Sequence, residues 1–207
     1  MKMGSPFKDE LTTKFHDHYR RQTNGEGPPK IKWLGYDTLK CPMDLWIYQE
    51  IIYEIQPRYI IEGGTCTGGS ALFMATILDV LGYGNVVTID WDADEFRPKH
   101  PRIQYITGNT IHIETVQKVR DLVQDPGRRM LVLDDGHDHD HVYQELMLYA
   151  PMLRAEDYLI VEDTNLGGPL WGLERFLQEI PDKFVRDEER ERLLLTFNPQ
   201  GYLKCIA

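Results

Sequence analysis

The stretch LVLDDGHDHDH, residues 131–141, gathers three histidines and four aspartates within eleven positions. Side chains of these types hold divalent cations and move protons. Zinc hydrolases with an HxHxDH motif are one candidate chemistry. Here His137, Asp138, His139, Asp140 and His141 run one residue short of that spacing, and no histidine follows position 141 to complete a ligand set.

The carboxylates sort better by the segments that deliver them. MLVLD ends an apolar run at Asp134, and YLIVED ends another at Glu162 and Asp163. If the two runs are neighbouring parallel strands, these three carboxylates lie close together. No Lys or Arg follows either run closely, so a hard cation is expected between them. Oxygen ligands with waters completing the shell favour Mg²⁺ over zinc. Asp134, Glu162 and Asp163 are therefore the expected metal ligands, and Asp135 competes for the same ion. His137 is the expected proton acceptor for a hydroxyl group. His139 and His141 are expected at the mouth of the site or at the start of the next helix.

A second constellation is IIEGGTCTGGSA, residues 60–71. A glycine-rich turn between a strand and a helix lets the backbone approach a ligand, and the helix start offers free N–H groups. Gly64, Thr65, Gly68, Gly69 and Ser70 are the expected contacts. No Gly-Lys-Ser/Thr follows, so this is not a phosphate loop, and the GxGxxG pattern is incomplete. Glu62 stands where a carboxylate would repel a phosphate but would orient a cationic amino group. Asp90, ending VVTID, is placed to accept hydrogen bonds from a ribose. A ligand with a ribose and an amino acid but no phosphate is S-adenosylmethionine. Trp91 is expected against its adenine, with Asn109 and Thr110 at the adenine edge and Asp134 also near the cofactor. Cys66 is read as small filler in the turn, not as a nucleophile.

These residues need a frame. From about position 44 onward, helical spacing alternates with short β-branched runs: helix at 43–55, strand 58–62, helix 70–82, strands 85–90 and 102–107, helix 111–124, strand 129–134, helix 141–153, strand 157–163. Such alternation implies βαβ units and a parallel sheet. The strands show little polar alternation, as expected when helices cover both faces. RLLLTFN and GYLKCIA flank the turn PQG, which predicts a C-terminal antiparallel hairpin at the sheet edge. The fold expected is a doubly wound, mostly parallel α/β sheet, with the ligand at the carboxyl ends of the strands. NGEGPPK (24–30) separates a polar N-terminal segment, 1–30, from the body, 31–207, and residues 8–21 are expected to form a charged helix lying on that body. DEERER (187–192) reads as a solvated charged turn. Trp171 and the loop 92–100 are candidate walls for an acceptor.

The 207 residues suit one sizeable domain. A net charge of −10, with Lys and Arg scattered, argues against a nucleic-acid partner. No apolar run reaches membrane-spanning length, and the N-terminus lacks a signal-like core. Three cysteines, Cys41, Cys66 and Cys205, have no pairing pattern. A cytoplasmic protein without a membrane partner is expected; a homo-oligomer is compatible with the sequence.

DLWIYQEII, IIEGGTCTGGSALF, VVTID, HPRIQYITGN, YLIVEDTN, the Gly-Pro at 168–169 and TFNPQGYLK together resemble the cephalosporin hydroxylase and rhamnosyl O-methyltransferase family of class I methyltransferases. The likeness runs in order from about residue 33 to the C-terminus. The sequence departs from the expected family pattern at Gly63, where Thr is expected, and at Asp135, where Ser is expected. The motif order is also similar to the catechol O-methyltransferase group, in which residues at two neighbouring strand ends hold Mg²⁺ and a lysine past the first aspartate acts as general base. His137 takes that lysine's place here. The resemblance implies a Rossmann-like fold and Mg²⁺-assisted methyl transfer from S-adenosylmethionine to a hydroxyl of a sugar or natural-product scaffold. Two rivals are an accessory subunit of a hydroxylation or methoxylation system and a nucleotide-dependent oxidoreductase. An intact Asp134/Glu162/Asp163 set weighs against the first. Glu62 beside a pyrophosphate weighs against the second.

Overall fold

The computed structural model describes residues 6–20 and 31–207. The Gly/Pro break at 24–30 lies outside them. Helix α1 (Pro6–Arg20) comes first, followed by the short antiparallel pair β1 (Lys32–Trp33) and β2 (Tyr36–Asp37). Then come α2 (Pro42–Ile55), β3 (Tyr59–Gly63), α3 (Gly69–Leu81), β4 (Asn85–Asp90) and β5 (Ile103–Thr107). The second half holds α4 (Ile113–Leu122), β6 (Arg129–Leu133), α5 (His139–Tyr149), β7 (Tyr158–Val161), α6 (Gly168–Glu179), β8 (Phe184–Arg186) and β9 (Tyr202–Cys205).

Seven strands form one sheet in the order β5-β4-β3-β6-β7-β9-β8. The first five are mutually parallel; β9 runs antiparallel to both β7 and β8. Along β3, Ile60 packs on one face with α2 and α3, and Ile61 on the other with α4, α5 and α6. Both faces are apolar because both are covered, which is why no polar alternation marks these strands in the sequence. Chain direction away from β3 reverses between β3 and β6, so the cleft at that point opens at the carboxyl ends of the strands.

The expected C-terminal antiparallel strand is present as β9, but its partner and place in the sheet differ from the expected edge hairpin. RLLLTFN is not a strand. β9 pairs with β8 and inserts between it and β7, so it is an inner strand. The intervening loop folds back over α2: the backbone N–H of Phe197 donates to Asp44 at 2.9 Å, and Tyr202 donates to the same carboxylate at 2.8 Å. Asp44 is buried, and satisfying it keeps the loop from extending as a strand. DEERER is not simply solvated either. Arg190 and Asp187 are buried and paired with each other at 3.0 Å. α1 lies on the body through Phe15 and Tyr19 against Phe197, and through His16 Nε2 at 2.7 Å from the Thr196 carbonyl.

Candidate active site

Local chain geometry brings the polar strand ends together. Gly64 has φ +92°, and a Cβ there would stand 2.1 Å from the Asp134 carbonyl oxygen, so only glycine allows β3 and β6 to part this closely. The Asp134 N–H donates to the Gly63 carbonyl at 2.9 Å, and the Glu162 N–H to the Leu133 carbonyl at 2.9 Å. These two bonds align the ends of β3, β6 and β7. Asp163 then adopts left-handed backbone angles, φ 55°, with its N–H donated to the buried Asn198 side chain at 2.9 Å. That turn directs neighbouring carboxylates differently. Asp163 lines the open cavity, whereas Glu162 is buried and accepts a hydrogen bond from Tyr48.

The cavity has a volume of about 790 Å³. Gly64, Cys66, Asp90 and Trp91 line it together with Asp134, Asp135, His137 and Asp163. Lys40, unforeseen in the sequence, also lines it, with its ammonium paired to both Asp134 and Glu162. The expected repulsion among the strand-end carboxylates is thus partly met by a lysine that arrives from before α2, 94 positions ahead of Asp134. Burial works against the charge on Lys40, but the facing carboxylates outweigh it and hold the group protonated. Burial raises the Asp134 and Glu162 carboxyls above their ordinary values; Lys40 opposes the shift in both.

Donor atoms of Asp134, His137 and Asp163 lie within 4.8 Å of one another. Glu162 adjoins this group through Lys40 and is not part of it. His137 Nε2 is 2.8 Å from Asp163 Oδ2, and that hydrogen bond raises the imidazole above its usual value despite partial burial. Nδ1 faces away from that bond. The carboxylates of Asp134 and Asp163, with room for water, offer the oxygen donors that a hard divalent cation takes, and the His137 imidazole stands beside them.

At the end of β4, Asp90 accepts the Cys66 N–H at 2.7 Å and is 3.3 Å from Arg97. Arg97, also missed in the sequence, fastens the turn by donating to the Cys66 and Asp92 carbonyls. Trp91 is exposed on the cavity wall. Glu62 is fully buried and accepts the Thr88 hydroxyl at 2.6 Å, while its Oε1 has no hydrogen-bond partner among the described residues. Thr65 and Ser70 are buried, and Gly68 and Gly69 begin α3 without reaching the cavity wall. Asn109 closes a turn on the Ile111 N–H, and Thr110 donates to Asp135; neither lines the cavity. Trp171 is exposed and away from it, and Asn165 and Leu166 line it instead. His16 and Tyr19 of α1, with Phe197, close the remaining side.

The histidine-rich run is resolved by its parts. Asp138 caps α5, accepting the N–H groups of Asp140 and His141. His139 is exposed and Asp140 pairs with Arg175 at 3.1 Å. His141 turns inward, 3.3 Å from Asp135 and 3.8 Å from Glu145, and these two carboxylates push its imidazole up to about 10.

A doubly wound sheet with this strand order and a ligand cleft at its switch point is the architecture of the class I methyltransferases, which take their methyl group from S-adenosylmethionine. A model of the Rhamnosyl O-methyltransferase/CmcI family matches residues 28–206, and the chain belongs to this family. It is an O-methyltransferase by that membership. The rhamnosyl O-methyltransferase of Mycobacterium leprae is 33% identical over 186 residues, covering 83% of this chain and 81% of that protein. The protein of the same name from Mycobacterium bovis is 32% identical over 190 residues, covering 84% and 78%. Among solved structures, CmcI without ligands superposes with a TM-score of 0.70 at 20% identity, covering 90% of this chain and 84% of that one. CmcI with Mg and SAM gives 0.69 at the same identity and coverage. At that identity the superposition speaks for the fold.

Proposed function

We propose that this chain transfers a methyl group from S-adenosylmethionine to a hydroxyl of a sugar or a sugar-bearing scaffold, assisted by Mg²⁺. The observation that carries this reading is that one cavity is lined both by Asp90 and the Gly64 turn and by Asp134, His137 and Asp163. Its volume of about 790 Å³ falls within the range of about 300–1,000 Å³ usual for small-molecule sites. The relatives named for rhamnosyl methylation support a sugar acceptor, and the CmcI structure with Mg and SAM supports the ligand pair.

When bound, these groups would supply an electrophilic methyl and a cation that makes a hydroxyl more acidic. Asp90 would hold the ribose and the Gly64 turn the amino-acid end. Glu62, walled off behind Thr88, would act on that end by fixing the turn. Asp134 and Asp163 would hold the cation. His137 would receive the acceptor's proton at Nδ1, with Asp163 keeping the ring oriented through Nε2. His137 would take the acceptor's proton as the acceptor oxygen took up the methyl carbon, and S-adenosylmethionine, when bound, would keep the electron pair of the broken carbon–sulfur bond on its sulfur. His16, Tyr19 and Phe197 would exclude water and grip the acceptor.

The test is methyl transfer by the purified chain alone, from radiolabelled S-adenosylmethionine to rhamnosides, with EDTA and with Mg²⁺ restored. Label in the acceptor that disappears with EDTA and returns with Mg²⁺ is expected. Transfer indifferent to EDTA would remove the metal from the reading. S-adenosylhomocysteine binding without transfer to any hydroxylated acceptor would favour the accessory-subunit alternative.

A further inference from the structure

Behind the cavity wall a second cluster of donors has no part in the reading above. Asp135 lines the cavity, His141 stands behind it, and Glu145 lies one helical turn further along α5. Their donor atoms all fall within 4.8 Å of one another. Glu145 is completely buried, and neither carboxylate oxygen has a hydrogen-bond partner among the described residues. His141 Nε2 is 3.8 Å from Glu145 Oε1, too far for a hydrogen bond, and 3.3 Å from Asp135 Oδ2. A buried, unpartnered carboxylate aimed into a cluster of ligand atoms calls for a positive group.

A protonated His141 answers that need poorly. One N–H at Nε2 cannot be directed squarely at both carboxylates, so Glu145 is left with a 3.8 Å ion pair and no hydrogen bond among the described residues. A divalent ion seated among the three would satisfy both carboxylates at once and match their two negative charges. The surroundings hold the ligands as a metal site requires. The Thr110 hydroxyl donates to Asp135 Oδ2 at 2.6 Å, and Tyr149 fixes Thr110 by donating to its carbonyl at 3.0 Å. The His141 ring lies so close over Gly136 that a Cβ there would stand 2.3 Å from Cδ2. Gly63 leaves open the space beside Glu145, where a Cβ would approach Oε1 to 3.2 Å.

We propose that Asp135, His141 and Glu145 form a second cation site, separate from Asp134 and Asp163, that takes a divalent transition ion. One imidazole with two carboxylates suits zinc or manganese better than magnesium. Such an ion ties the first turns of α5 to the end of β6, and so braces the loop that presents His137. The site stands whether or not the chain methylates a sugar.

The experiment is calorimetric titration of the full-length, EDTA-stripped protein with Zn²⁺, carried out in a His139→Ala background to remove the exposed histidine. The parent should bind one equivalent more than its Glu145→Gln derivative, and Asp163→Asn should lose a different equivalent, so that the double variant Glu145→Gln/Asp163→Asn loses both. Zn²⁺ should raise the melting temperature of Asp163→Asn but not of the double variant. Retained S-adenosylhomocysteine binding by Glu145→Gln checks that it is folded. Asp135→Ser, at the cavity edge, gives the same reading if Glu145→Gln fails to fold. Equal zinc stoichiometry in the parent and a folded Glu145→Gln or Asp135→Ser overturns the proposal.

Discussion

The Lys40 ammonium lies 2.5 Å from Glu162 Oε1, and both side chains are almost entirely shielded from solvent. The same ammonium pairs with Asp134, so one buried cation serves carboxylates on two strand ends. Removing one member of a buried ion set typically costs about 3–5 kcal/mol, because the others are left uncompensated. Lys40→Met should therefore lower stability by about that amount in urea unfolding. Adding Glu162→Gln to Lys40→Met should recover part of the loss, since the amide removes one of the stranded charges. A Lys40→Met protein as stable as wild type would show that the pair contributes nothing net.

Asp90 sits where β4 ends, with its carboxylate already organised by the Cys66 N–H and Arg97. If it receives the ribose hydroxyls, Asp90→Ala should weaken S-adenosylhomocysteine binding by about 1–3 kcal/mol, the cost of leaving polar groups unsatisfied. Calorimetry measures this directly. Unchanged affinity would remove Asp90 from the cofactor site.

The positions of these residues were legible in the sequence because parallel βαβ units deliver strand ends to one edge. Asp90, Asp134, Glu162 and Asp163 could thus be placed without knowing any contact. What each carboxylate does there was not legible. Glu162 and Asp163 are neighbours in sequence, and only the left-handed backbone at Asp163 sends one to Lys40 and Tyr48 and the other to the cavity. Lys40 carried no local signal, since its partners come from distant strands. The RLLLTFN segment has strand-like composition, yet the buried Asp44 captures its backbone in a loop. Burial of a single acid overrode propensity there. Thr110 and Asn109 lie at a strand end as expected, but their side chains are used up in local bonds.

Asp187 gives a pH-dependent contribution to stability. Burial alone would raise its carboxyl, but hydrogen bonds from Lys204, Arg190 and Tyr158, each at 3.0 Å, outweigh it and hold it below the ordinary value of 3.8. A carboxyl depressed in the folded state stabilises the protein fully above its unfolded value and loses that contribution as pH falls through the folded one. Asp187→Asn should cost about 1.5–3 kcal/mol at pH 7, the range for hydrogen bonds to a charged group. The gap to wild type should narrow as the pH drops below 3.8. Urea unfolding at neutral and acid pH checks the direction; a gap that widens on acidification would mean the charge is not what stabilises the turn.

The last prediction separates two ligand sets for the catalytic cation. Sequence spacing assigns Asp134, Glu162 and Asp163, whereas the structure gathers Asp134, His137 and Asp163 and engages Glu162 with Lys40 and Tyr48. Mn²⁺ reports binding through the loss of the free-ion paramagnetic resonance signal, without any need for turnover. Asp163→Asn should weaken Mn²⁺ binding by about tenfold or more on either assignment. The variants that decide are Glu162→Gln and His137→Ala. If Glu162 stays committed to Lys40, Glu162→Gln should leave Mn²⁺ affinity within about threefold of wild type, well short of the loss expected for a ligand or its orienting partner. If instead the ion displaces Lys40 on binding, Glu162→Gln should lose as much affinity as Asp163→Asn. His137→Ala should lower methyl transfer by about 10²–10⁴-fold if the imidazole takes the proton. A matching loss of Mn²⁺ affinity in that variant would make His137 a ligand first, and a variant with full turnover would leave proton removal to another group.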